Sequence, residues 1–131
     1  MSKHRPTTPP YKPQTRWGYF VVAFKGLAYA IRTQGHLKVH LAAALAVCVA
    51  GAYYQLAVWE WVAVVGCIGM VGTTELLNTA IERWVDAQQP DYDPQAGLVK
   101  DVAAGAVLWA ALCAAIVGLM IFVPKILALL Y

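Results

Sequence analysis

The chain has 131 residues, and its ten Lys and Arg against seven Asp and Glu leave a formal net charge of +3. Sixty per cent of the residues are hydrophobic and only 13% are charged, whereas a soluble domain carries about 25% charged residues. That composition argues against a soluble enzyme, a disordered chain and a nucleic-acid binder, and the length allows one domain. A small integral membrane protein remains.

Residues 1–16 form a basic tail with Pro6, Pro9, Pro10 and Pro13 among Lys3, Arg5, Lys12 and Arg16. Proline removes backbone donors and the stretch has no apolar core to bury, so disorder is expected there. No signal-peptide pattern is visible, because the first long apolar run begins some forty residues in. The expected single domain covers residues 17–131.

Residues 17–33 predict an amphipathic surface helix. Trp17, Phe20, Val21, Phe24, Ala28 and Ile31 recur at spacings of three and four, while Lys25 and Arg32 share another face. Such a helix suits the headgroup layer, with its cations toward phosphates; a basic soluble-type helix packed on neighbours has the same pattern.

Three membrane spans follow, at about 39–58, 61–85 and 98–123. No charge interrupts Leu41 to Trp59, and about 20 apolar residues cross the roughly 30 Å of hydrocarbon. Tyr53, Tyr54, Trp59 and Trp61 mark an aromatic belt around a short turn. The second span is apolar from Val62 to Thr74 and then carries Glu75, Asn78, Glu82, Arg83 and Asp86. Pro90 and Pro94 predict a loop from Asp86 to about Gly97. The third span is free of charge from Val102 to Val123, with Pro124 and Lys125 expected to close it. The fold class is therefore an all-α membrane protein: one amphipathic surface helix and three transmembrane helices. Cys48, Cys67 and Cys113 each lie in an apolar run and are expected to be buried fillers.

Orientation follows from the cations. Seven of the ten Lys and Arg lie at or before Lys38 and none lies in the turn around Tyr53 to Trp61. The positive-inside tendency places the N-terminus and the 86–97 loop in the cytoplasm. Lys125 then lies on the opposite side from the other cations.

At about 100° per residue, Asn78 lies about 60° from Glu75, Glu82 about 20° to the same side, and Asp86 returns to the Glu75 direction. The four make one polar stripe. A carboxylate at mid-helix costs about 2.5–3.5 kcal/mol to insert, so the stripe does not face lipid. Two readings stand: a buried seam pairing with Lys100, Arg83 or Asn78 to hold helices in register, or a divalent-metal and phosphate site. Lys100-Asp101, at the start of the third span, opposes the stripe; a lysine there meets a phosphate as a point charge. No GxxxxGK[ST] or GxGxxG loop is present to hold a nucleotide.

The run Glu75-Leu76-Leu77-Asn78-Thr79-Ala80-Ile81-Glu82, followed by Val85-Asp86, resembles the signature of the small bacterial membrane lipid kinases, the prokaryotic diacylglycerol kinase and undecaprenol kinase family. Lys100-Asp101-Val102-Ala103-Ala104-Gly105-Ala106-Val107-Leu108 matches a second signature, and Phe24-Lys25-Gly26-Leu27 and the His40 region also fit. The resemblance covers about residues 17–125. It implies a homotrimer in the bacterial cytoplasmic (inner) membrane, with sites between subunits, and phosphoryl transfer from Mg-ATP to a lipid hydroxyl.

By the same resemblance, Glu75 is the general base and, with Asn78, meets the acceptor lipid. Glu82 is a metal ligand. Lys100 and Asp101 are nucleotide contacts, and Asp91 and Asp93 border the nucleotide by loop position. Where the family commonly has a second metal-binding Glu, this chain has Gln34, an oxygen donor without charge, and His36 replaces the usual Asn nearby. Features around His40, Ala104 and Phe122-Val123-Pro124-Lys125 place the chain nearer the undecaprenol kinase branch, with diacylglycerol as the alternative acceptor. A non-catalytic oligomeric membrane protein or small transporter subunit is the competing reading of another class.

Overall fold

A computed structural model describes residues 15–91 and 93–130. Within them lie four helices: α1 (Arg16–Thr33), α2 (Gly35–Tyr53), α3 (Val58–Gln88) and α4 (Pro94–Leu127). The last three are long and apolar enough to cross a membrane. Nearly all of the basic tail expected at 1–16 lies outside the described residues.

α1 and α4 begin where a side chain satisfies a free N–H group. The Thr15 hydroxyl accepts from the Gly18 N–H at 3.2 Å to open α1. Asp93 does the same for α4, accepting from the Gln95 N–H at 2.9 Å, and Pro94 takes the first helical position, where its missing N–H costs nothing. The expected loop from Asp86 to Gly97 is therefore shorter: α3 runs on to Gln88 and α4 opens at Pro94. Pro124 likewise does not close the third span, since α4 continues through it to Leu127. The span expected at 39–58 starts earlier and stops sooner, because Gly35 to Lys38, polar but for Leu37, already form the first turn of α2.

The α2–α3 turn is tight. Gln55 adopts a left-handed φ of 50°, and its neighbour Leu56 returns its N–H to the Gly51 carbonyl at 3.0 Å. Gly51 is buried beneath this turn. A Cβ there would lie 2.7 Å from Leu56 Cδ1 and 2.8 Å from Trp61 Cη2, so only glycine lets the turn fold down onto α2. Leu56, Val64 and Ile121 form the small core at this end, with Trp61, Val117 and Phe122 packed around it.

α3 packs chiefly against α4, secondarily against α2, and α2 and α4 do not pack against one another. α1 rests on α3 and α2. Its Trp17, Phe20 and Phe24 are exposed, as an interfacial helix requires of the face it turns to lipid. The free cysteines are half-buried rather than buried.

Both ends of the α3–α4 pair are tied by ions. At one end Lys100 Nζ meets Asp86 Oδ1 at 2.9 Å. At the other, Lys125 Nζ meets Glu60 Oε2 at 3.0 Å, and the same carboxylate oxygen accepts the Ala57 N–H at 2.7 Å. Asp86 and Glu60 are 26 positions apart on one helix, about 39 Å at about 1.5 Å per residue. That is close to the roughly 40–45 Å of a bilayer with its interfacial layers. Lys125, the cation set apart from the others by the charge pattern, is thus neutralised by Glu60.

Two outcomes test this packing. Gly51→Ala lowers the thermal unfolding midpoint in detergent: overpacking costs about 1–3 kcal/mol, which exceeds the helix-propensity gain of about 0.5–1 kcal/mol. Glu60→Gln and Lys125→Met each lower that midpoint more than the double variant does, because each single change strands one charge.

Candidate functional site

The inner part of the polar stripe of α3 points into protein. Glu75 is buried at 4% exposure and Thr79 at 6%. Asn78 Nδ2 donates to Glu82 Oε1 at 3.1 Å, one turn along the helix. Both side chains are half-buried. Asn78 Oδ1 is buried with no hydrogen-bond partner. The amide turns its NH₂ toward the carboxylate, as charge demands, and this leaves its oxygen wanting a donor. An unmade hydrogen bond of this kind costs about 1–3 kcal/mol, so the site is short of one donor group.

Lys100 is brought to the stripe from α4, but it bonds Asp86, the last member, rather than Glu82. Glu82 adds its attraction to the same ammonium. Lys100 and Asp86 are 37% and 62% exposed at their side chains, so this pair lies open to solvent and to an incoming anion. Arg83, expected as one possible partner of the stripe, turns instead toward α1. Its guanidinium carbon stands 5.3 Å from the Tyr29 ring centroid, a cation–π contact that pins α1 to α3.

The remaining residues singled out by the sequence are less gathered. Gln34 caps the α1–α2 junction through its backbone N–H, which donates to the Ala30 carbonyl at 2.9 Å. Its side chain makes no capping bond. Asp101 and Asp91 are exposed, and Asp93 spends one oxygen on the α4 cap. Among the described residues, no hydrogen bond or ion pair joins Gln34 or Asp101 to Glu82, and no three His, Cys, Asp or Glu converge as a metal cage.

α1 fixes the depth of the site. A gap between α1 and α3 is lined by Gly26 and Tyr29 on one side and by Leu76, Thr79 and Arg83 on the other. The surface helix therefore lies level with positions 76–83 of α3. Glu75 is one residue deeper, and Glu82 and Asp86 lie at or beyond the level of α1. The stripe thus runs from buried Glu75 outward to exposed Asp86.

Three features escaped the sequence reading. Glu60 was not singled out, although a lone Glu at the start of a span and a lone Lys at the end of the next are a signal for pairing. The Tyr29–Arg83 contact had no such signal. Nor did the groove between α2, α3 and α4.

The chain belongs to the prokaryotic diacylglycerol kinase family, whose model matches residues 21–122. It is 42% identical over 107 residues to an undecaprenol kinase of Bacillus subtilis, covering 82% of this chain and 87% of that one. It is 38% identical over 117 residues to a diacylglycerol kinase of a Synechocystis species, covering 85% of this chain but 64% of that longer protein.

Lys100→Met is expected to raise the KM for a nucleotide triphosphate by about 10–100-fold, the value of one charge-assisted hydrogen bond of about 1.5–3 kcal/mol. Titrating nucleotide at saturating lipid checks it.

Proposed function

We propose that the chain is a lipid kinase that transfers the γ-phosphoryl group of ATP to the hydroxyl of undecaprenol at the cytoplasmic face of the bacterial inner membrane. The observation that carries this reading is the stripe itself. A buried carboxylate, an amide oxygen lacking a donor and a second carboxylate run outward along one helix to a solvent-facing lysine. Family membership and the similarity to an undecaprenol kinase support the reaction and the acceptor.

The roles follow from position. Glu75, deepest and driest, takes the proton of the lipid hydroxyl. The hydroxyl oxygen then bonds to the γ-phosphorus, the bond to the ADP oxygen breaks, and ADP leaves to water. Asn78 Oδ1 accepts a hydrogen bond from the acceptor and so orients it. Lys100 leaves Asp86 for a phosphate oxygen, and Asp101, Asp91 and Asp93 border the nucleotide. Because phosphoryl transfer depends mainly on positioning and charge stabilisation, a short set of side chains suffices.

Mg²⁺ fits the donors present: Glu82 keeps Oε2 free beside its bond to Asn78, Gln34 offers an uncharged oxygen, and magnesium is held by one or two carboxylates plus phosphates and water. Bound there, it would supply neutralisation of phosphate charge. The family resemblance supports a homotrimer with each site shared between neighbouring subunits. The cations gathered at or before Lys38 support a cytoplasmic N-terminus.

A transporter subunit would also hold carboxylates in a membrane helix. The step from buried Glu75 to exposed Asp86 favours the kinase, since it brings a lipid-level group and a water-level cation into one line. Glu75→Gln is expected to lower lipid-dependent turnover at least a thousandfold while the thermal midpoint and oligomer mass stay as in the wild type; unfolding of the variant would return Glu75 to a structural role. Gln34→Glu is expected to lower the magnesium concentration at half-maximal rate, and an unchanged value would remove Gln34 from the ligand set.

A further inference from the structure

Three cations stand on the two helices that build the site: Arg83 on α3, and Lys100 and Lys125 on α4. Lys100 is paired with Asp86 and Lys125 with Glu60. Arg83 is exposed, and among the described residues no carboxylate lies within ion-pair distance of it. Asp86, three positions further on, is within helical reach of Arg83. Yet Asp86 bonds Lys100 at 2.9 Å, and the guanidinium turns to the Tyr29 ring instead. A full charge on a site helix thus rests against the face of a ring.

That charge lies beside the stripe. At about 100° per residue, Thr79 is about 40° from Glu75 and Arg83 about 80°, both toward α1. Thr79 and Arg83 line the gap of about 350 Å³ between α1 and α3, so the guanidinium has room to leave the ring. Along the axis Arg83 is one residue from Glu82 and three from Asp86, about 1.5 and 4.5 Å of helix rise. Among the described residues α1 and α4 do not pack against one another. Lys100 and Arg83 therefore flank the outer end of the stripe from separate sides, one from α4 and one from the α1 side. Glu75, Glu82 and Asp86 outweigh Lys100 in charge, and a nucleotide triphosphate adds further negative charge. A second cation at the same level is what such an anion requires.

We propose that Arg83 is a second phosphate contact of the kinase: it leaves Tyr29 and closes on the terminal phosphate of the nucleotide from the α1 side, while Lys100 meets the phosphates from α4. The inference rests on the kinase reading above. A guanidinium offers a planar fork that matches two phosphate oxygens. Charge-assisted bonds of that kind are stronger than an exposed cation–π contact, so the exchange is favourable once the anion is present. Tyr29 is the holding position. It keeps the cation next to the site without a carboxylate that would have to be stripped from it first.

The test is equilibrium binding of ATP and of ADP, with magnesium and without an acceptor lipid, to the full chain in detergent micelles. Arg83→Met raises the Kd for ATP about 10–100-fold, the size of one charge-assisted contact, and leaves that for ADP within about threefold. Arg83→Lys, which keeps the charge, recovers part of the loss. Tyr29→Leu does not raise the Kd for ATP, because it frees the cation rather than removing it. A clasp that only pins α1 would make Tyr29→Leu and Arg83→Met equivalent, since each removes the same contact. Thermal midpoints and oligomer mass show which variants are folded, and Arg83→Gln stands in if the Met variant is not. Equal weakening of ATP by the Tyr29 and Arg83 variants, or equal weakening of ATP and ADP by loss of Arg83, overturns the proposal and leaves the kinase reading standing. A wild type that binds no ATP overturns both.

Discussion

The α3–α4 pair is the constraint on which the rest of the structure depends. Two long apolar helices have no hydrophobic reason to choose one register in lipid, because lipid tails solvate them as well as they solvate each other. Ion pairs supply the choice. Asp86–Lys100 and Glu60–Lys125 lie about 39 Å apart along α3 by helix rise, and a slip of one turn would strand charge at both ends at once. With the register fixed, the acidic stripe of α3 meets the lysine of α4 at one end of the pair, and Glu75 sits a few turns inward.

That arrangement also explains why a kinase site can be built without a phosphate loop. On the proposed reading, the lysine that would meet phosphate is held by Asp86 until an anion arrives. The carboxylate proposed to take the hydroxyl proton is kept from water by the same packing. Asn78 connects the two halves: one end of its amide is committed to Glu82 and the other is left without a donor. On the proposed reading the inner side meets an alcohol and the outer side a phosphate, and the helix between them sets the separation.

Much of this was legible in the sequence because a membrane imposes a strong pattern. Charge-free runs located the spans, and the angular arithmetic on Glu75, Asn78, Glu82 and Asp86 found the stripe. The ends of the helices were less legible. Gly35 to Lys38 is too polar to look like a span, yet it forms the first turn of α2. Pro94 and Pro124 look like breaks, yet one opens a helix and the other lies inside it. The pairings were least legible of all. Periodicity gives the direction of a side chain on its own helix but not the level of a neighbouring helix, so Lys100 was set against the stripe as a whole and found at Asp86. Lys125 stood apart from the other cations until Glu60 was seen beside it, and Arg83 belonged to Tyr29.

The account is tested most directly by following the phosphoryl group. Purified protein in bilayers containing undecaprenol or diacylglycerol, supplied with γ-labelled ATP and magnesium, should move label into the lipid phase as polyprenyl phosphate in preference to phosphatidic acid. Label that stays entirely in the aqueous phase with every lipid offered would contradict it.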